Sequence, residues 1–136
     1  MSGRTVLILD DDENALLVLR AILETKDLRV LESSEEKTAV EHCQRLPPGG
    51  IDVLIADVIL HHSDGPAVVR RVKYLQPEMR IVFISGFGID DLARRGLLDH
   101  HDVASEGIAF LQKPFTAETL LSRMEEMLGG SSGNVD

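Results

Sequence analysis

Five short apolar runs, each ending at a polar residue, alternate along the chain with stretches whose apolar residues recur at helical spacing. The first run, residues 5–9 (Thr-Val-Leu-Ile-Leu), stops at Asp10, Asp11 and Asp12. The second covers Leu28 to Leu31. The third, from Ile51 to Asp57, follows Pro47-Pro48-Gly49-Gly50 and is apolar enough to be buried on both faces, so Asp57 is where it leaves the core. The fourth, Arg80 to Ile84, ends at Ser85-Gly86-Phe87-Gly88, and the fifth, Ile108 to Leu111, at Gln112-Lys113-Pro114.

Helices fill the intervals. Asp12 is placed to cap a first helix that carries Ala15, Leu19, Ile22 and Leu23 inward. Ser33 with Glu36 has the spacing of a capping box for a second helix running to about Leu46. Pro66 suits the first turn of a third, whose Val68, Val69, Val72 and Leu75 face the core before Gln76-Pro77 ends it. A short helix is predicted over 89–97, followed by a polar stretch from Asp99 to Gly107. Thr116 can cap a last helix with Leu120, Leu121, Met124, Met127 and Leu128 on one face. The Gly/Ser-rich residues 129–136 are expected to form a disordered tail beyond a single domain spanning 1–128.

Strands and helices alternating five times imply an α/β fold with a parallel sheet covered on both faces. The economical arrangement is a flavodoxin-like, doubly wound (βα)5 sandwich with strand order 2-1-3-4-5. In that order the first and third strands are neighbours, so Asp10 and Asp11 lie beside Asp57 in the crevice at the carboxyl ends of the strands. Ser85 and Lys113 flank them.

Composition changes this picture little. The 136 residues fit one domain, 43% of them hydrophobic and 27% charged. A net charge of −9 argues against nucleic acid as a partner, because a phosphate backbone requires a basic footprint. With no long apolar span and one cysteine, the chain reads as cytoplasmic and not membrane-inserted, and Cys43 reads as a packing residue.

The strand-end residues permit a particular chemistry. Carboxylates a few ångströms apart repel by on the order of a few kcal/mol per pair, which calls for a compensating cation. Lys113 is one, and a hard divalent ion such as Mg²⁺ (or Mn²⁺) is another. An aspartate nucleophile, a divalent ion, a lysine and a hydroxyl together make an acyl-phosphate site. The adjacent pairs His61-His62 and His100-His101 are poorly arranged for chelation and read as solvated loop residues.

Asp10-Asp11, Asp57, Asp64-Gly65, Ser85-Gly86 and Lys113-Pro114-Phe115, in this order, resemble the receiver domain of two-component response regulators over residues 4–128. The segment Phe110-Leu-Gln-Lys-Pro-Phe further resembles receivers attached to hybrid sensor histidine kinases. The resemblance implies that Asp57 accepts a phosphoryl group from a sensor histidine kinase or phosphotransfer protein, and that the signal passes to a downstream target by protein contacts. It also implies that Mg²⁺ is bound by Asp11, Asp57 and the backbone carbonyl of Ile59, with Asp10 acting through a metal-bound water. Ser85 would take a phosphoryl oxygen, Lys113 would pair with it after a cis bond to Pro114, and Phe110 would be the aromatic switch. Two departures stand out: His61 replaces a common proline, and the 28-residue spacing from Ser85 to Lys113 exceeds the usual one by a few residues around 98–106.

Three alternatives compete. A receiver-like binding module independent of phosphorylation would ordinarily lack one of the acids or the lysine. A flavin carrier of the same fold would need a hydroxyl-rich loop where Asp10-Asp11-Asp12-Glu13 stands. A Mg²⁺-dependent aspartyl phosphohydrolase would require a second acid at position 59, which is Ile.

Overall fold

The computed structural model describes residues 1–129. In chain order its elements are β1 Thr5–Leu9, α1 Glu13–Glu24, β2 Arg29–Ser33, α2 Glu36–Arg45, β3 Val53–Asp57 and α3 Gly65–Val72. These are followed by β4 Arg80–Ser85, α4 Ile89–Arg94, α5 His100–Val103, β5 Ile108–Gln112 and α6 Ala117–Met127. The five strands are parallel and ordered β2-β1-β3-β4-β5, as the alternation predicts.

The inner strands read as continuous apolar runs because helices cover both faces of the sheet. On one face Leu7, Leu9, Leu54, Ala56, Ile81 and Phe83 pack with residues of α2, α3 and α4, including Ala39, Val68, Val72 and Leu92. On the other, Val6, Ile8, Val53, Ile55, Val82 and Ile84 meet Leu16, Leu19 and Leu23 of α1 and Leu120 and Met124 of α6. Each of these valine, leucine, isoleucine, phenylalanine and methionine side chains contributes about 1.5–3 kcal/mol on full burial. Cys43 packs into the first face, where burial pushes its thiol up to about 11.

Register decides what the strand ends bring together. Leu9 lies opposite Ala56, which sets Asp10 beside Asp57. Asp57 lies opposite Ile84 and Ser85 opposite Gln112, so Ser85 and Lys113 each stand one residue further along.

Four local expectations are corrected. Ser33 does not cap α2: it ends β2, where its buried hydroxyl donates to the Ile8 carbonyl at 2.7 Å, and the N-cap is Glu35 without a side-chain bond. The pull of the sheet ladder outweighs the capping signal. α3 ends at Val72, since the chain must turn for Gln76 to enter the core. The predicted 89–97 helix stops at Arg94, and Gly96 follows with a positive φ of 74°. The polar stretch behind it contains the single turn α5, closed by a reciprocal capping box between Asp99 and Asp102. Asp12 caps α1 and Thr116 caps α6 as expected. The predicted tail lies, from residue 130 on, outside the described residues.

Gln76, fully buried, ties the turn between α2 and β3 to the core. Its amide nitrogen sits 3.1 Å from the carbonyls of Cys43, Leu46 and Pro47, and its oxygen accepts from Gly49 N–H at 3.1 Å. Replacing it with leucine leaves those buried backbone groups unpaired. Gln76→Leu should therefore lower unfolding stability by about 2 kcal/mol in urea titration. Stability equal to wild type would show that the turn is held without it.

Candidate functional site

Asp10, at the end of β1, is fully buried. One carboxylate oxygen accepts the Asp12 N–H at 2.9 Å, while the other, Oδ2, has no hydrogen-bond partner. The nearest cation, Lys113 Nζ, is 3.6 Å from Oδ2. Removal from water dominates: burial pushes Asp10 up to about 6, reinforced by the Asp57 charge and opposed by the Asp12 N–H and Lys113.

Asp57 is half-buried at the crevice mouth. Its Oδ1 accepts the Ile59 N–H at 3.2 Å, and its Oδ2 lies 3.4 Å from Lys113 Nζ. Lys113 is fixed by its own backbone N–H, which donates to the Ser85 carbonyl at 2.8 Å, and its bond to Pro114 is cis. One ammonium thus stands between two carboxylates from neighbouring strands.

Asp11 is turned elsewhere. Its Oδ2 accepts the His61 N–H at 2.6 Å, with His61 Nδ1 at 3.2 Å, so its carboxylate closes the loop from Val58 to Asp64. That loop is further shaped by the Ile59–Asp64 bridge and by Asp64, which caps α3 by accepting Ala67 N–H at 2.8 Å. Gly65 follows because a side chain is excluded there: a Cβ would stand 2.5 Å from the Asp57 carbonyl oxygen. His61 and His62 are both exposed.

The sequence therefore brings Asp10, Asp57 and Lys113 into contact, while Asp11 lies alongside with its carboxylate committed to the loop. Among the described residues, no three His, Cys, Asp or Glu side chains converge as a closed metal cage. The donor set still suits a hard divalent ion: two carboxylates share one ammonium, a third stands alongside on the His61 loop, and a buried carboxylate oxygen is without a partner. Ser85 is buried on β4, its Oγ accepting the Phe87 N–H at 3.0 Å. Phe110 is half-buried on β5, opposite Phe83. Sequence reasoning missed the His61 clamp on Asp11 and the Phe87 contact with Ser85. Both are backbone donations that no residue pattern announces.

A family model described as response regulator receiver domain matches residues 6–125. The chain is 30% identical over 130 residues to the sensor kinase CckA of Brucella abortus (strain 2308), a match covering 94% of this chain and 13% of that protein. It is 26% identical over 125 residues to the response regulator receiver protein CpdR of the same organism, covering 92% of this chain and 97% of that protein. The chain thus spans about an eighth of the first relative and nearly all of the second. The crystal structure of the receiver domain from hybrid histidine kinase CckA superposes with a TM-score of 0.73 at 26% identity, covering 91% of this chain and 98% of that one.

Because Asp10 holds its proton more tightly in the folded protein than the ordinary carboxylate near 3.9, its ionisation costs stability as pH rises through the window from about 4 to about 6. The full penalty, up to about 3 kcal/mol, is present above that window and absent below it. In metal-free buffer Asp10→Asn should therefore be more stable than wild type at pH 7, with the two curves converging near pH 4. Denaturant titration across pH checks this, and a difference independent of pH would refute it.

Proposed function

The chain belongs to the response regulator receiver family, and from that premise we propose that Asp57 is its phosphoacceptor. The observation that carries the assignment is the position of the Asp57 carboxylate at the crevice mouth, 3.4 Å from Lys113 Nζ. Asp10 is sealed and inclined to hold a proton, and the Asp11 carboxylate is engaged by the His61 loop. Asp57 is the acid that combines access with a neighbouring cation.

In the proposed transfer an Asp57 carboxylate oxygen attacks phosphorus as the donor's phosphorus–nitrogen bond breaks. The electron pair leaves on the donor imidazole, which takes up a proton. Lys113 pairs with the added phosphoryl charge, and the Ser85 hydroxyl donates to one phosphoryl oxygen. Mg²⁺ or Mn²⁺, held by Asp11, Asp57 and the Ile59 carbonyl with Asp10 behind a water, would supply electrostatic neutralisation of the gathering negative charge. The domain itself receives and releases a phosphoryl group and turns over no further substrate; kinase activity belongs to its donor. The donor is a sensor histidine kinase or a phosphotransfer protein, the recipient of the signal is another protein, and Phe110 moves with Ser85. Among the described residues no helix is long and apolar enough to cross a membrane.

Incubation with acetyl phosphate and Mg²⁺ should add one labile phosphoryl mass to the intact protein, and Asp57→Asn should remove it. Phosphorylation of that variant to the wild-type extent would overturn the assignment. Mg²⁺ should also raise the melting temperature by about 2–8 °C at saturating concentration, since an ion bound only by the native state stabilises it by mass action. Asp11→Ala should abolish that rise. A wild-type melting curve indifferent to Mg²⁺ would remove the metal from the reading.

A further inference from the structure

The link between β4 and α4 carries one large side chain, Phe87, between Gly86 and Gly88. A Cβ built on Gly86 would meet nothing within 4 Å, so no packing at that position constrains the backbone. The Phe87 N–H donates to Ser85 Oγ at 3.0 Å, and the Gln112 side-chain amide reaches the Gly86 carbonyl only at a long 3.5 Å. The ring of Phe87 is 40% exposed, yet it is covered: the guanidinium carbon of Arg95, at the end of α4, lies 4.1 Å from its centroid. Its neighbour Arg94 pairs with Asp91. Among the described residues Arg95 pairs with no carboxylate, and its charge is spent on the ring.

We propose that Arg95 and Phe87 are positioning residues that hold the Ser85 hydroxyl in its resting orientation. Arg95 fixes the ring, the ring fixes the Phe87 backbone, and the Phe87 N–H fixes the direction of Oγ. A serine hydroxyl can accept that bond and still donate its proton, but its oxygen cannot swing toward a group on Asp57 while the bond is kept. The clamp therefore opposes the rotation by which Ser85 reaches a phosphoryl oxygen. Removing the clamp favours the reaching form, and a ligand selecting that form then binds more tightly by the shift in population. This role rests on Ser85 being the hydroxyl that contacts the phosphoryl group.

The test is titration of wild type, Arg95→Ala, Arg95→Lys, Phe87→Leu and Arg95→Ala/Phe87→Leu with beryllium fluoride in Mg²⁺, followed by amide NMR. An exposed cation–π contact predicts that Arg95→Ala and Phe87→Leu each tighten binding about two- to fivefold. Arg95→Lys should fall between Arg95→Ala and wild type, and the double variant should be no tighter than either single one. Without ligand, exchange of the Phe87 amide proton should speed up in Arg95→Ala and be largely restored in Arg95→Lys. Unchanged or weaker binding in Arg95→Ala, or additive effects in the double variant, would overturn the clamp while leaving Asp57 as acceptor. Failure of wild type to bind beryllium fluoride would instead strike the functional reading, and with it the role of Arg95.

Discussion

Lys113 holds the strand ends together electrostatically. Its ammonium lies 3.4 Å from Asp57 and 3.6 Å from Asp10, the latter buried beyond the reach of water. At such distances an ion pair near a protein surface is worth about 4 kcal/mol before the cost of desolvation. Two carboxylates draw on that one charge, and the upward displacement of Asp10 shows desolvation prevailing over what Lys113 returns. The site is consequently short of positive charge by construction. A protein that only needed to be stable would place a neutral side chain at position 10. Retaining a buried acid there makes chemical sense if a further cation completes the balance.

Everything that brings these groups together is sheet register. Parallel pairing sets Asp10 beside Asp57, Ser85 beyond Ile84 and Lys113 beyond Gln112, so a one-residue slip would turn a side chain of the proposed site into the core. The apolar residues on both faces make that slip costly, because it would exchange the two packed clusters. The chemistry is thus held in place by hydrophobic packing well away from it.

This division explains what was legible in the sequence. Strands flanked by helices on both sides must be apolar throughout, and the acid, hydroxyl or lysine that ends each one stands out against that background. The alternation led to the strand order, and the strand order with those ends led to the meeting of Asp10, Asp57 and Lys113. What escaped depended on contacts that no local spacing or periodicity announces. The Ser33–Glu36 spacing is a sound capping signal that was overridden by pairing with Ile8. α5 has four residues, none buried, so no periodicity could reveal it. Gln76 is a single polar residue after a helix, and nothing local distinguishes it from a surface glutamine until the turn from Leu46 to Gly50 folds around it.

Two side chains of the proposed site are tied, in this structure, to backbone donors of their neighbouring loops. Asp11 accepts from His61, and Ser85 accepts from Phe87. The Asp11 contact is charge-assisted, and both bonds close short loops at the strand ends. Any ion that draws the Asp11 carboxylate inward must compete with the His61 N–H, and any group that draws the Ser85 oxygen must compete with the Phe87 N–H. The competition runs in both directions by linkage: what occupies the acid site loosens the loops, and what stabilises the loops weakens occupancy. The loops lead directly into α3 and α4. Competition for a few oxygen atoms therefore acts on the two segments that begin these helices.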